Sequence, residues 1–296
     1  MNVLIVGATG YVGTSVDEAL VARGHRTVGT ARSDAARSVL EARGTAVASA
    51  DAAKPNTLTS AVRSADAVVY AVTVTDANSW NVDVNALRAI RKALAGTEKT
   101  FAYISGAWVY GSTGDVPATE NAPLQPPPLV ARRIELERET LGMTQLGIRA
   151  LVIRPGIAYG RGAGIPAMFV QSARERGAAT IVGEGTNRWA TIHIADLGML
   201  VALALESGRP GRSYNAAGDD RFHVSEIAEA ASRGAGAGGA TINVDPEIIG
   251  QYGECLALDQ IISADRAKSD LGWTPQAPSI VEDLEHGSYS VPSVAV

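Results

Sequence analysis

The sequence predicts an α/β fold in which helices cover both faces of a doubly wound parallel sheet, with a small α/β lobe in the C-terminal part. Short apolar runs alternate with helical stretches as far as residue 155, and repeated β-α-β units of this kind form parallel sheets. The first run, residues 3–6, is apolar at every position, as expected of a central strand that is covered on both faces.

The predicted elements alternate strictly in the first half of the chain, and glycines mark two helix ends. Gly24 and Gly44 follow the first two helices, where glycine readily adopts the left-handed conformation that closes a helix. The predicted strands are 3–6, 27–30, 46–49, 67–72, 101–105 and 150–153. The predicted helices are 15–23, 35–43, 58–64, 80–94, 134–146, 195–206 and 224–232.

The domain organisation follows from the point at which this alternation loosens. We expect a dinucleotide-binding core and a substrate lobe. The core is predicted to comprise 1–155, completed by about 190–215 and 255–275, and the lobe mainly 156–189 and 210–290. Residues 232–240 are mostly glycine and alanine, a composition that predicts a flexible surface loop.

Composition excludes several classes of protein. The chain has 296 residues, 46% of them hydrophobic, and a net charge of -5 with dispersed Lys and Arg, so we expect neither disorder nor nucleic-acid binding. Its one cysteine, Cys255, and four well-separated histidines predict neither an internal disulfide nor a metal site. It shows no long apolar run and no signal-peptide pattern at the start, so we expect no membrane association and a cytoplasmic location.

A glycine-rich turn follows the first strand and opens the first helix. Gly7 permits the tight turn, Gly10 allows the backbone to approach a pyrophosphate, and Gly13 allows the helix to pack closely on the strand. The helix start adds N–H groups and a positive dipole end. The sequence therefore predicts a Rossmann-type dinucleotide site. Its phosphate-binding residues are predicted to be Gly7, Thr9, Gly10, Tyr11, Val12 and Gly13.

The end of the second strand indicates which dinucleotide binds. Arg32 offers a fork of donors suited to a 2′-phosphate, and Ser33 adds a hydroxyl. This favours NADP, whereas Asp34 keeps NAD possible because an acid at this place binds the ribose hydroxyls of NAD.

Further motifs occur in register with this turn. They are YISGAWVYG at 103–111, RPGIAYG at 154–160, IHIAD at 192–196 and LGWTP at 271–275. Together with the glycine turn, they resemble the extended short-chain dehydrogenase/reductases of the NAD-dependent epimerase/dehydratase kind, nearly end to end. The resemblance implies that Asp51 contacts adenine and that Asn85 braces the active site. It implies further cofactor contacts from Ala71, Val72, Pro155 and Ile157.

The chain departs from this resemblance at the catalytic motif. The family uses a Tyr, a Lys four residues later, and a Ser or Thr that holds the substrate oxygen. At the matching positions this sequence has Leu129, Arg133 and Gly106, with Ser105 one residue away. Leucine cannot exchange a proton, so the chain is closer to the atypical branch of the superfamily. Arg133 can still bind the nicotinamide ribose, although it is a poor proton relay.

Candidate catalytic residues are therefore Ser105, Arg133 and Tyr159. Each also has a structural interpretation: Ser105 could bond to backbone, and Arg133 could pair with Glu137 one helical turn later. The predicted substrate contacts are Trp108, Tyr110, Tyr159, Arg188 and His193. The alternatives are packing for the aromatic residues, a solvated surface position for Arg188 and a helix cap for His193.

These residues favour an NAD(P)-dependent oxidoreductase that uses NADPH to reduce a carbonyl or imine in a small metabolite. Two alternatives stay open. One is a non-redox isomerase, cyclase or lyase, or a nucleotide-sugar epimerase or dehydratase, on the same fold. The other is a catalytically silent NADP-binding sensor. The resemblance also makes a homodimer possible, through the helices at 80–94 and 134–146.

Overall fold

Seven parallel strands form the central sheet of the computed structural model, which describes residues 1–72 and 79–290. The strands of the chain are β1 (Asn2–Val6), β2 (Arg26–Ala31), β3 (Ala46–Ser49), β4 (Ala67–Tyr70), β5 (Thr100–Ile104), β6 (Arg149–Pro155), β7 (Ile157–Tyr159), β8 (Ala179–Val182), β9 (Thr191–His193), β10 (Ser213–Ala216) and β11 (Thr241–Val244). The sheet order is β10-β6-β5-β4-β1-β2-β3, which confirms the predicted doubly wound α/β class.

Helices cover the sheet on both faces. They are α1 (Tyr11–Ala22), α2 (Asp34–Ala42), α3 (Leu58–Ser64), α4 (Ser79–Leu94), α5 (Arg133–Gly142), α6 (Ala167–Arg176), α7 (Ile194–Ser207), α8 (Val224–Gly234), α9 (Pro246–Ile249), α10 (Gln251–Leu256), α11 (Asp265–Leu271) and α12 (Ile280–His286). One apolar core lies between the sheet and α1, α2, α7 and α11. A second lies between the opposite face and α3, α4 and α5.

The order of the strands identifies the edge of the sheet at which a ligand is expected to bind. The chain runs outward from β1 to β3 and then returns to β4, which pairs with β1 on its other side. The crevice at the carboxyl ends of β1 and β4 is therefore the topological switch point, where ligands of doubly wound sheets bind. The glycine turn after β1 lies at this edge.

The smaller lobe has a core of its own. β8 and β11 pair in parallel, and α6, α8 and α12 pack around them. Phe169 and Trp189 stack with ring centroids 5.4 Å apart in this core. The short pair β7–β9 connects the lobe to the sheet.

Several predicted boundaries need correction. The strand predicted at 67–72 ends at Tyr70, because its neighbour β1 ends at Val6, the register partner of Tyr70. The helix predicted at 134–146 divides into α5 and a 3₁₀ helix, Met143–Leu146. α8 extends to Gly234, so the segment predicted as a loop begins later than residue 232.

Two further observations apply to the described ranges. No helix within residues 1–72 and 79–290 is both long and apolar enough to cross a membrane. Within the same residues, no three His, Cys, Asp or Glu side chains are grouped so that they could hold a metal ion.

A buried ion pair joins the sheet to α5. The Arg154 guanidinium, on β6, donates to the Glu137 carboxylate with an Nη2–Oε2 distance of 2.6 Å. Its Nη1 donates to the Tyr110 hydroxyl at 2.7 Å, and that hydroxyl donates to Asn215 Oδ1 at 2.7 Å. The pair is almost completely buried, so each charge depends on its partner for stabilisation.

Replacing Glu137 should therefore destabilise the fold. In Glu137→Ala the Arg154 charge stays buried without its partner, and we expect the free energy of unfolding to fall by about 3–5 kcal/mol. Urea denaturation followed by circular dichroism measures this. Glu135→Ala, at an exposed position of the same helix, is the control and should change stability by less than about 0.5 kcal/mol. Equal effects of the two substitutions would contradict the interpretation.

Candidate active site

The glycine turn between β1 and α1 has the predicted geometry. Gly7 has φ of +93°, and a Cβ there would lie 2.7 Å from the Ala71 carbonyl oxygen. A Cβ on Gly13 would lie 2.1 Å from the Gly7 carbonyl oxygen. Both positions therefore require glycine, because the backbone of the turn contacts β4 on one side and α1 on the other.

The start of α1 is open to a ligand. Gly10 is the N-cap residue, and no side chain caps the helix. The first N–H groups of a helix have no acceptor within the helix, so those at the start of α1 can bind an anion. Thr9 and Gly10 are exposed here, whereas Val12 is partly buried against the core. The turn thus fits the pyrophosphate of a dinucleotide.

Tyr11 connects this turn to the lobe. Its hydroxyl donates to the Gly160 carbonyl oxygen at 2.8 Å. A Cβ on Gly164, which has φ of +80°, would approach the Tyr11 ring to 3.2 Å. Burial raises the pKa of Tyr11, so its hydroxyl stays protonated and keeps this bond. The glycine-rich loop 160–164 is thereby held against the turn.

The end of β2 presents the predicted cofactor-selecting residues. Arg32 is exposed, and no ion pair or side-chain hydrogen bond holds its guanidinium among the described residues. The Ser33 hydroxyl accepts from the Ala36 N–H at 3.2 Å and caps α2. Asp34 is exposed in the first turn of α2. Asp51, after β3, accepts from the Ala53 N–H at 3.0 Å with one carboxylate oxygen.

The end of β5 carries a buried hydroxyl. Ser105 follows β5 directly, and its buried Oγ has no hydrogen-bond partner among residues 1–72 and 79–290. Only its backbone N–H is engaged, by donation to the Ile153 carbonyl oxygen at 2.8 Å. The interpretation of Ser105 as a side chain bonded to backbone is thus not supported. The carboxyl ends of parallel strands share one edge, so this hydroxyl lies at the edge that carries the glycine turn.

Arg133 lies at the start of α5, at the same edge of the sheet. It is half-buried. Burial raises the pKa of Tyr103 and of Asp83, and the nearby positive charge of Arg133 opposes this rise in both groups. The predicted alternative, a surface pair with Glu137, is wrong because the Glu137 carboxylate binds Arg154. Arg133 therefore faces the strand ends of β4 and β5.

Sequence reasoning missed the groups that surround Arg133. The Tyr70 hydroxyl donates to Asp83 Oδ1 at 2.6 Å, and the rings of Tyr70 and Tyr103 lie 6.2 Å apart. The register of β4 and β5 pairs these two tyrosines, and two tyrosines near the ends of adjacent strands were the available signal. Asn85, predicted as the bracing residue, is exposed on α4, and Asp83 on the same helix faces the strands instead.

Leu129 occupies the position of the missing phenol. It lies in a 3₁₀ helix, Pro128–Val130, and its side chain is 47% exposed. No hydroxyl replaces it at this point. Trp108, in the 3₁₀ helix Ala107–Tyr110 after β5, is half-buried and meets Tyr252 edge-on at 5.9 Å.

Two predicted tyrosines have their hydroxyls bound elsewhere. The Tyr159 hydroxyl donates to the Pro278 carbonyl oxygen at 2.7 Å, and burial raises its pKa. The Tyr110 hydroxyl lies between Arg154 and Asn215. The structure thus does not bring either phenol to Ser105 as a free proton donor.

Arg188 and His193 also have structural partners. Arg188 donates to both carboxylate oxygens of Asp259, at 2.9 and 2.6 Å. His193 caps α7, since its Nδ1 accepts from the Ala195 N–H at 3.2 Å. Between Pro155 and Ile157 the backbone packs closely against the segment before β9, because a Cβ on Gly156 would lie 2.3 Å from the Ala190 carbonyl oxygen.

The fold and the turn define a Rossmann-type protein of the extended short-chain dehydrogenase/reductase kind. The model of the family described as "NAD dependent epimerase/dehydratase family" matches residues 3–217, so the chain belongs to that family. It is 28% identical over 303 residues to an uncharacterized protein of Saccharomyces cerevisiae, covering 98% of this chain and 100% of that one. It is 24% identical over 228 residues to the 2-alkyl-3-oxoalkanoate reductase of Stenotrophomonas maltophilia, covering 71% and 67%.

Solved structures share the fold. A dTDP-glucose 4,6-dehydratase from Streptomyces venezuelae, with NAD bound, superposes with a TM-score of 0.82 at 20% identity, covering 98% of this chain and 96% of that one. The UDP-glucose 4-epimerase of Thermus thermophilus, in complex with NAD, gives 0.81 at 19% identity, covering 99% and 100%.

The cap at His193 should make stability depend on pH. Burial lowers the pKa of His193, and its Nδ1 must be unprotonated to accept from Ala195. The neutral form is thus favoured in the folded state, and stability is lost as pH falls through about 6.5 toward the lower folded-state pKa. His193→Asn keeps a capping acceptor that does not titrate.

We therefore expect the wild type to lose stability relative to His193→Asn as the pH falls from about 8 to about 5. Chemical denaturation at a series of pH values measures it. His286→Asn, at an exposed position, is the control and should leave the pH profile of stability unchanged. A wild-type profile parallel to that of His193→Asn would show that the cap does not titrate in this range.

Proposed function

We propose that the protein is an NADPH-dependent reductase of a carbonyl or imine in a small metabolite. The observation that carries the proposal is the buried Ser105 hydroxyl, which has no partner among the described residues and lies at the sheet edge of the glycine turn. A buried donor left unbound is costly, and a substrate oxygen or nitrogen would satisfy it. The reductase name of the Stenotrophomonas relative supports this reaction type.

The residues present fit a dinucleotide. The uncapped start of α1 would hold the pyrophosphate, Arg32 a 2′-phosphate, Asp51 the adenine and Arg133 the nicotinamide ribose. When bound, a reduced nicotinamide supplies hydride transfer to an electrophilic carbon.

Ser105 and Arg133 have different roles in the proposed reaction. The Ser105 hydroxyl would donate a hydrogen bond to a carbonyl oxygen, or accept one from the N–H of a protonated imine, and would thereby fix the orientation of the reacting group. A guanidinium is a poor proton donor, so the role of Arg133 is to bind and to stabilise negative charge. Because Leu129 provides no acid, the substrate must need little proton donation. An already protonated imine meets this condition, since its nitrogen becomes a neutral amine on reduction; an activated carbonyl takes its proton from Ser105 or water.

A catalytically silent NADP sensor is the second candidate. The half-exposed Leu129 favours it, because a phenol at that place would be the ordinary acid. Binding of NADPH and NADH, followed by fluorescence, and consumption of NADPH over a panel of carbonyls and imines separate the two. Binding with consumption supports the reductase, and binding without consumption supports the sensor. A homodimer through α4 and α5 stays a prediction.

Arg32 should set the preference for the phosphorylated cofactor. In Arg32→Ser the charge facing the 2′-phosphate is lost, so we expect the Kd of NADPH to rise by about 10- to 100-fold. The Kd of NADH should change less than about twofold. Fluorescence titration measures both constants. Arg26→Ser, at the opposite end of β2, is the control, and an equal loss of NADPH and NADH affinity in Arg32→Ser would contradict the role.

Ser105 should matter for turnover and not for folding. We expect Ser105→Ala to lower kcat by about 100-fold, with the Kd of NADPH unchanged. The free energy of unfolding should stay the same or rise, because the lost hydroxyl has no partner. Steady-state kinetics and urea denaturation measure these quantities. Ser64→Ala, exposed at the end of α3, is the control; an unchanged kcat in Ser105→Ala would sink the catalytic role.

A further inference from the structure

An apolar surface lies beside the proposed reaction site. It consists of Trp108, Leu129, Ile248, Ile249 and Tyr252, which we call the apolar wall. We propose that the apolar wall binds the part of the substrate beyond its reacting group, and that this part is an uncharged alkyl or aryl group. The inference rests on the proposed function for the identity of the reacting group.

Contacts join the wall into one surface. Tyr252 lies on α10, and its ring meets Trp108 edge-on at 5.9 Å. α10 also packs against the 3₁₀ helix Pro128–Val130, which carries Leu129. α9 packs on α10, and a Cβ on Gly253 would lie 2.9 Å from Ile249 Cβ. Three separate segments that carry wall residues therefore meet at α10.

The wall adjoins the residues of the proposed chemistry. Trp108 follows Ser105 by three positions, and Leu129 precedes Arg133 by four. The turn that carries Trp108 is fixed by Gln260, whose Nε2 donates to the carbonyl oxygens of Ala107 and Gly111 at 3.0 and 2.7 Å. A substrate held at Ser105 would thus extend over Trp108 and Leu129.

The wall is held in place before any ligand binds. The Leu256 carbonyl oxygen, at the end of α10, accepts from Trp189 Nε1 at 2.9 Å and from Asn187 Nδ2 at 3.0 Å. These donors belong to the segment before β9, so α10 is tied to the lobe. A preformed surface costs little ordering when a ligand binds.

Many of the exposed large apolar side chains lie in the apolar wall. Of the ten large apolar side chains that are most exposed among residues 1–72 and 79–290, four belong to it. They are Leu129 at 47%, Ile248 at 78%, Ile249 at 42% and Tyr252 at 40%. Scattered apolar residues need no ligand, but a contiguous group beside a cleft marks a binding surface.

Arg188, in the segment beside the turn that carries Trp108, is already paired with carboxylates. Arg188 lies next to Gln260 in the structure, since its carbonyl oxygen accepts from the Gln260 N–H at 2.9 Å. Its guanidinium is bound by Asp259 at 2.6 Å and by the exposed Asp115 at 3.0 Å. This arginine therefore offers no free positive charge to a diphosphate, and the wall itself carries none.

A homologous series of straight-chain methyl ketones tests the inference. We would measure their Kd by calorimetry for the protein saturated with NADP⁺, which has no hydride to transfer to a ketone, with glyceraldehyde and UDP-glucose as polar comparisons. Each added methylene should tighten binding by about fourfold until the wall is covered. Tyr252→Ser and Leu129→Asn should flatten this dependence on chain length. Val21→Ser, an exposed apolar position on α1, is the matched control and should retain it.

Several results would overturn the inference. These are affinity that does not change with chain length, tighter binding of UDP-glucose, or no binding of any ketone. Sedimentation that shows a dimer abolished by Ile248→Glu would assign the wall to a second copy of the chain and would also overturn it. NADPH consumption is measured separately. Binding that depends on chain length, without NADPH consumption, would reject the reductase function and support the apolar ligand class. NADPH consumption without a dependence on chain length would support the reductase function and reject the apolar ligand class.

Discussion

The buried pair between Arg154 and Glu137 is the constraint on which the site depends. It ties α5 to β6, and the same guanidinium lies 5.1 Å from the ring centroid of Tyr110, in the turn that carries Trp108. Arg133 precedes Glu137 by one helical turn, so its position follows from the pair. Tyr110 then extends the network to Asn215 on β10. One interaction thus sets the relative positions of α5, the turn after β5 and the last strand of the sheet.

Leu129 contributes to two proposals, the type of reaction and the apolar character of the substrate. A leucine at this position removes the acid that the reaction would ordinarily use, and it adds apolar surface to the 3₁₀ helix that packs against α10. The first change restricts the proposed substrates to those that are easily reduced, and the second favours those with apolar groups. Ser105, directly after β5, keeps a buried hydroxyl that has no hydrogen-bond partner among the described residues. The two consequences act together on the choice of substrate, which is why one residue is informative about both.

Local patterns could be predicted from the sequence, whereas partners distant along the chain could not. The glycine turn follows from spacing alone, because Gly7 and Gly13 must contact each other's backbone. The partner of Glu137 could not be inferred, because Arg154 lies on β6, outside the helix that carries Glu137, whereas Arg133 lies one turn away on the same helix. The Tyr159 hydroxyl was misinterpreted for the same reason, since its acceptor, Pro278, is 119 positions away. The exposure of Asn85 also depends on which face of the amphipathic helix α4 is buried, and Asn85 lies on its solvent side.

The hydrogen bond from Tyr11 to Gly160 has a thermodynamic consequence. It joins the first turn of α1, where a pyrophosphate would bind, to the loop that begins after β7. Any ligand that fixes one of these segments reduces the freedom of the other. Linkage then requires the effect to be reciprocal: if the nucleotide strengthens binding of a second ligand at the lobe, that ligand strengthens nucleotide binding by the same factor. The coupling between the two ligands would then pass through a single phenolic hydroxyl.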